Sequence, residues 1–324
     1  MSPSVPGPVR TLSADALSAC RLCPRQCGVN RTAGQRGYCG AGSDVEVFRY
    51  APHHGEEPPV SGSRGSGTIF FSRCTMRCLY CQNFRWSQLG EGQRYDGEGL
   101  DGILRDLARQ GCHNWNLVSP TPWLPRIVAA IDRVKRDGVS LPVVYNTSGF
   151  ERLETLRALE ETVQIYLTDL RYARRETAAE ASGAPAYVEV ARDAFREMWR
   201  QAGALRVTPE GIARSGVICR ILVLPGRAAE AVESLRWLAD TAGTSVAISV
   251  MAQYTPLHRA VEPPWNRPVT QAEYATVCSA VEELGFTEGW VQEYGEPAAE
   301  GLIGADMPGI APVRAREGAA DERT

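Results

Sequence analysis

From residue 67 onward the chain alternates two hydrophobic patterns. Short apolar or β-branched runs at 68–73, 114–119, 142–148, 163–170, 217–224 and 245–252 read as strands. Between them, 100–110, 123–137, 151–161, 187–202 and 227–241 carry apolar residues at helical spacing. Gly138, Gly149 and Pro225-Gly226 punctuate the junctions. Six strands with intervening helices predict right-handed βαβ units and a parallel sheet, an α/β fold. Alternation alone allows an open doubly wound sheet or a barrel; six units fall short of a closed eight-unit barrel and leave room for a partial one. In either case chemistry belongs at the carboxyl ends of the strands.

Upstream the character differs. Residues 11–66 hold four cysteines, many glycines and prolines and little periodicity, which predicts a small cysteine-rich, metal-stapled N-terminal module. Residues 67–293 form the strand–helix domain. Residues 1–10 are Pro-rich and 313–324 are charged with few large apolar groups, so the N-terminus and part of a C-terminal extension over 294–324 are expected to be disordered.

Composition narrows the class. Hydrophobic content of 44% and charged content of 23% over 324 residues are ordinary for a soluble globular chain. The net charge is −3 and no stretch concentrates Lys or Arg, so nucleic acid is not an expected partner. No run of 18 apolar residues suggests a membrane span, and the first residues lack the apolar run of a secretory signal; a cytoplasmic location is expected. There, clustered cysteines hold metal more often than they form disulfides, and seven of the ten lie at or before residue 81.

Two sets stand out. Cys74, Cys78 and Cys81 follow directly on the first strand, spaced so that three thiolates wrap one side of a cubane cluster. Zinc or plain structural thiols is the rival reading, but structural zinc wants four closed ligands and no fourth is evident near this loop. Three ligands on a four-iron cluster leave one iron open, which is a reactive position. Cys20, Cys23, Cys27 and Cys39 lie within 20 residues, with Pro24, Gly28, Gly34, Gly37 and Gly40 to turn the chain. They suit one further centre, zinc or a second iron–sulfur cluster, with disulfides the weaker alternative.

The triplet spacing, Tyr80 before its last cysteine and Gln82-Asn83 after it resemble the radical S-adenosylmethionine superfamily. Residues 20–293 resemble more closely its pyruvate formate-lyase activating enzyme-like (PflX-type) branch. The segments that carry the resemblance are 51–62 (Ala-Pro-His-His-Gly-Glu-Glu-Pro-Pro-Val-Ser-Gly), 65–71, 116–122, 143–149, 165–172 and 222–226. It implies a partial (β/α)6 barrel, a 4Fe–4S cluster on Cys74, Cys78 and Cys81, and S-adenosylmethionine bound at the open iron. It also implies a reductant such as flavodoxin or ferredoxin, and an oxidoreductase that abstracts hydrogen, with a glycyl radical enzyme as the partner it activates. A small-molecule or peptide substrate is the alternative, and a non-catalytic metal-binding protein of the same fold is a third.

Tyr80 and Asn83 flank the last cysteine and are candidate cofactor contacts. Relatives commonly carry Gly-Gly-Glu where this chain has Ser119-Pro120-Thr121-Pro122, so Ser119 is left with backbone contacts to the cofactor. Asn146 is polar at the end of the third predicted strand and is placed at the cofactor ribose or carboxylate. Asp169 and Arg171, two apart on one strand, point the same way and are candidate catalytic residues. Arg171 stands where the branch has Lys; since Lys135 is the chain's one lysine, this fits a general drift to arginine. Arg220, inside an apolar run, needs a carboxylate partner, for which bound cofactor is one candidate. His258 resembles a substrate-side histidine. His53, His54, Glu56 and Glu57 read as a solvated loop.

Overall fold

The computed structural model describes residues 12–295, so the disorder expected for 1–10 and for most of 294–324 lies outside the described residues. Strands β1 (Val45–His53), β2 (Ser66–Phe71), β3 (Gln93–Tyr95), β4 (Trp115–Val118) and β5 (Val143–Thr147) are followed by β6 (Ile165–Asp169), β7 (Arg206–Val207), β8 (Ala213–Leu222), β9 (Ala247–Met251) and β10 (Gly289–Val291). The sheet runs β10-β9-β8-β6-β5-β4-β2-β1-β3, with β7 paired to β8. Neighbours from β2 to β10 are parallel, whereas β1 and β3 are antiparallel additions at one edge.

That order settles the choice between architectures. The parallel strands lie in chain order with no reversal, so every crossover steps the same way; a doubly wound sheet would reverse at a switch point. The result is an open, partial (β/α)6-type barrel with β10 as a short further strand. Helices connect the strands: α1 (Pro58–Ser61) and α2 (Phe84–Ser87) are single turns, and the outer layer is built from the later helices α3 (Gly97–Arg109), α4 (Leu124–Arg136), α5 (Leu153–Arg157), α6 (Arg175–Ser182), α7 (Tyr187–Ala202), α8 (Ala228–Ala242) and α9 (Gln271–Leu284). In α3, Leu100, Ile103, Leu104 and Leu107 recur at the i, i+3, i+4, i+7 spacing of one buried face, and Asp96 caps its start by accepting from the Gly99 N–H.

Because both faces of a parallel sheet are covered, its strands are apolar almost throughout. Val143, Tyr145, Tyr166, Val217, Cys219 and Ile248 pack into the main core with the helices. Their neighbours in the alternation, Val144, Ile165, Leu167, Ile218 and Ala247, gather on the inner face around Val60. Val60 sits on α1, so the segment after β1 plugs the barrel interior.

The sheet extends back across the boundary expected at residue 67. β1 lies within the stretch assigned to the N-terminal module, yet it pairs with β2 through Tyr50↔Ile69 and Ala51↔Thr68. Its charged Glu46 and Arg49 obscure the strand pattern; both are buried, and Glu46 takes the Arg73 guanidinium at 2.6 Å. No helix among the described residues is long and apolar enough to cross a membrane.

Candidate functional site

Beyond β2 the chain enters a tight loop. Arg73 and Arg77, immediately before Cys74 and Cys78, adopt left-handed backbone with φ of 77° and 61°. Such conformations cost on the order of 1–3 kcal/mol each and persist where surrounding structure imposes them. Here the Arg73 N–H donates to the Trp86 carbonyl at 3.0 Å and its side chain is held by Glu46. The loop thereby brings Cys74, Cys78 and Cys81 to one cavity of about 560 Å³ at the carboxyl ends of the parallel strands.

The Cys78 sulfur collects donors from distant parts of the chain: the Ser182 hydroxyl at 3.0 Å, Arg171 Nη1 at 3.2 Å and the Tyr172 hydroxyl at 3.9 Å. Burial, and then the nearby Cys78 charge, push the Cys81 thiol up to about 12; the same two causes raise Cys74. A bound metal centre would supply the positive charge that lets such buried thiols deprotonate together. Among the described residues, no three His, Cys, Asp or Glu side chains gather as a single metal ion would gather them. Three thiolates on one short loop are the donor set of a cubane that keeps one iron open.

Below the cysteines the inner face carries a polar layer from four strands, with Asn116, Asn146, Arg220 and Ser249 pointing inward among apolar neighbours. Arg220 is engaged throughout. Nε and Nη2 donate to the two oxygens of Glu57 at 2.7 and 2.8 Å, Nη2 also reaches Glu56, and Nη1 donates to Asn146 Oδ1 at 3.3 Å. Asn116 and Asn146 donate to the remaining Glu56 oxygen at 2.8 and 3.3 Å. Burial drives the Glu57 carboxyl up, but Arg220 outweighs it and holds the group below its ordinary value.

This corrects the reading of residues 53–57. His53 and Glu57 are buried, the Glu56 side chain is only 7% exposed and His54 alone of the four faces solvent. The carboxylate partner expected for Arg220 exists and the protein itself supplies it: four of the five guanidinium N–H groups are spent on Glu56, Glu57 and Asn146.

The other candidates divide. Tyr80, Asn83, Ser119, Asn146, Asp169, Arg171 and Arg220 all line the cavity. Asp169 and Arg171 pair at 2.6 Å. Ser119 sits at φ 55° with its N–H donating to the Asn146 carbonyl. Tyr80 spends its hydroxyl on Tyr172 at 2.8 Å, and its ring stacks on Trp265 with centroids 5.5 Å apart. His258 is not among the lining residues: its ring stacks on Phe84 at 4.6 Å, a structural contact. Cys20, Cys23, Cys27 and Cys39 lie apart from the cavity lining. Tyr172 and Ser182 went unnoticed in the sequence. Tyr172 is the last residue of the 165–172 segment, whereas nothing local marks Ser182, 104 residues from Cys78.

Glu151 was read only as the start of a helix. It is 2% exposed, and its Oε1 accepts from Thr121 at 2.7 Å and Thr147 at 2.5 Å, while Oε2 is buried without a partner. Burial raises its carboxyl from the ordinary 4.5 to about 7, against the lowering effect of those hydroxyls. The folded chain thus holds this proton between pH 4.5 and 7 where the unfolded chain releases it, and stability falls as pH rises through that window. The loss is complete above the folded value and amounts to about 3 kcal/mol. Urea unfolding of Glu151→Gln at pH 5 and pH 8 is expected to lack this decline; equal pH dependence in both proteins would refute it.

No protein-family model matches the chain. An uncharacterized protein of Methanocaldococcus jannaschii is 26% identical over 284 residues, covering 85% of this chain and 78% of that one. Among solved structures, SuiB of Streptococcus suis aligns with 68% of this chain and 47% of its own, at 11% identity and a TM-score of 0.44. Methylornithine synthase (PylB) aligns with 64% and 59%, at 17% identity and 0.45. The structure of anSMEcpe with bound AdoMet aligns with 65% and 57%, at 10% identity and 0.42. The chain spans less than two thirds of the length of each of these solved proteins.

Proposed function

We propose that the chain is an iron–sulfur enzyme of the radical S-adenosylmethionine type. In this reading Cys74, Cys78 and Cys81 hold a 4Fe–4S cluster and leave one iron open for the cofactor. The observation that carries it is the convergence of all three cysteines on one cavity at the strand ends, beside Asn83, Ser119, Asn146 and Asp169. When bound, cluster and S-adenosylmethionine supply reductive cleavage of the sulfonium and removal of a hydrogen atom from a substrate.

The chain's own contribution is to hold and to shield. Hydrogen bonds from Ser182, Tyr172 and Arg171 to the Cys78 sulfur are of the kind that tune a cluster's potential. Asn146 and Asp169 offer polar atoms from adjacent strands toward the cofactor's amino acid and ribose. Tyr80, packed between Trp265 and Tyr254, forms an aromatic wall that keeps water from one side. Glu56, Glu57 and Arg220 close the floor, so substrate enters from the mouth above.

For the substrate, the resemblance supports a glycine of a partner enzyme, and an open barrel mouth suits an extended loop. A small molecule or peptide is the second reading. It is favoured by Arg171, which replaces the branch's Lys and is drawn onto Asp169 and the Cys78 sulfur. Anaerobic reconstitution with iron, sulfide, reductant and S-adenosylmethionine is expected to yield 5′-deoxyadenosine; none would remove the enzymatic reading. A glycyl doublet in electron paramagnetic resonance on an added partner supports activation. Deuterium passing from a small molecule or peptide into 5′-deoxyadenosine, without a protein radical, selects the second reading.

A further inference from the structure

Residues 12–44 should not hold themselves together. Their regular structure among the described residues is short 3-10 turn, chiefly Ala14–Leu17, and their own apolar cluster is Leu17, Cys20 and Leu22 with a few partly buried neighbours. Segments this poor in core rely on a staple. Yet the loop is tightly organised: the Cys20 N–H donates to Val29, Gly28 to Cys20 and Gln26 to Cys23, at 2.9–3.0 Å. Gly28 and Gly40, directly after Cys27 and Cys39, turn the chain at φ of 67° and 76°. Within the loop Cys27 Sγ lies 3.9 Å from the Cys20 carbonyl oxygen and packs against Gly37, two residues before Cys39. None forms a disulfide.

Arg31 provides an independent sign. Its side chain is only 2% exposed, lies over the Trp123 ring and donates to the Gly42 and Pro122 carbonyls; its remaining polar contact is the Cys20 sulfur at 3.8 Å. Among the described residues no carboxylate lies within ion-pair distance of it. A buried guanidinium without a counter-charge is unfavourable, and a centre held by four thiolates is anionic.

The same loop grips the triplet loop. Arg25, between Cys23 and Cys27, donates to the Thr75 carbonyl at 3.1 Å and to those of Ser182 and Gly183 at 3.2 and 2.6 Å. Its guanidinium lies 3.9 Å from the ring centroid of Tyr38, the residue before Cys39, and the Tyr38 hydroxyl donates to the Met76 carbonyl at 3.3 Å. Thr75 and Met76 lie between Cys74 and Cys78.

We propose that Cys20, Cys23, Cys27 and Cys39 bind a second iron–sulfur cluster, wholly ligated by thiolates, whose loop braces the Cys74–Cys81 loop through Arg25 and Tyr38. Four protein ligands leave no iron open, so this centre binds no substrate. A tetrahedral zinc is the rival centre for four thiolates, and metal content decides between the two.

The test uses the full chain carrying Cys74→Ala, Cys78→Ala and Cys81→Ala, so its failure leaves the reading of the triplet untouched. After anaerobic reconstitution this protein is expected to retain roughly four irons per chain, and adding Cys23→Ser to abolish them. No iron in the triple variant, iron undiminished by Cys23→Ser, or one zinc in its place would overturn the proposal. Should the variants misfold, alkylation of the unmutated chain decides. Cys27, exposed in the structure, is expected to be shielded in loaded protein and labelled several-fold faster after chelation; equal labelling refutes a bound centre. Arg25→Ala is expected to keep the N-terminal iron while the triplet loses its iron to chelator several-fold faster, and an unchanged rate would remove the brace.

Discussion

Replacing Cys74, Cys78 or Cys81 singly by alanine is expected to lower 5′-deoxyadenosine formation to background, a fall of at least about 100-fold. Each thiolate covers one of three liganded irons, and a cluster left with two has no third anchor to hold the remaining iron open and oriented. Cys78→Ala should be the most damaging, because three donors lose their acceptor at once: Ser182, Tyr172 and Arg171. The measurement is product formation with iron content and visible absorbance recorded in parallel. Full activity in any one variant would dismiss the triplet as the cluster site. A loss of activity with iron content and spectrum untouched would point instead to a defect in cofactor binding.

Arg220→Leu is expected to destabilise the fold by about 3–5 kcal/mol, the usual cost of removing one partner from a buried ion pair. Among the described residues Arg220 is the single cation paired with Glu56 and Glu57, whose side chains are 7% and 5% exposed, and leucine would leave two carboxylates facing each other beneath the cavity. The effect should resemble a local collapse of the floor more than the loss of a ligand contact, since four of the five Arg220 N–H groups are already engaged within the protein. Adding Glu56→Gln and Glu57→Gln should recover most of the stability, because neutral amides need no cation. Denaturant midpoints of the two variants test this. A change below about 1 kcal/mol in Arg220→Leu would show the layer to be inessential to the fold.

Short apolar or β-branched runs joined by amphipathic helices were enough to place all six strands of the parallel barrel, because a strand covered on both faces must be apolar along its length. Strands β1, β3, β7 and β10 escaped that reading. β1 mixes Glu46 and Arg49 into its pattern, and the other three are two- or three-residue additions whose existence depends on the strand they join. The triplet was legible for a similar local reason: cluster ligands on one short loop must be close in sequence, and a strand end fixes where the loop emerges. Asp169 and Arg171 were legible as a pair from their two-residue spacing, although the strand ends at Asp169 and it is the ion pair that brings Arg171 back to the same side. What only the tertiary structure decided is the company these residues keep. His-His-Gly-Glu-Glu looks like a solvated surface segment until the chain after β1 is seen to run into the barrel. There its carboxylates meet an arginine more than 160 residues away. Ser182, Glu151 and Arg31 carry no local mark because their roles come from burial and from partners on other elements. Periodicity and spacing are properties of neighbours along the chain; desolvation and charge pairing are properties of neighbours in space.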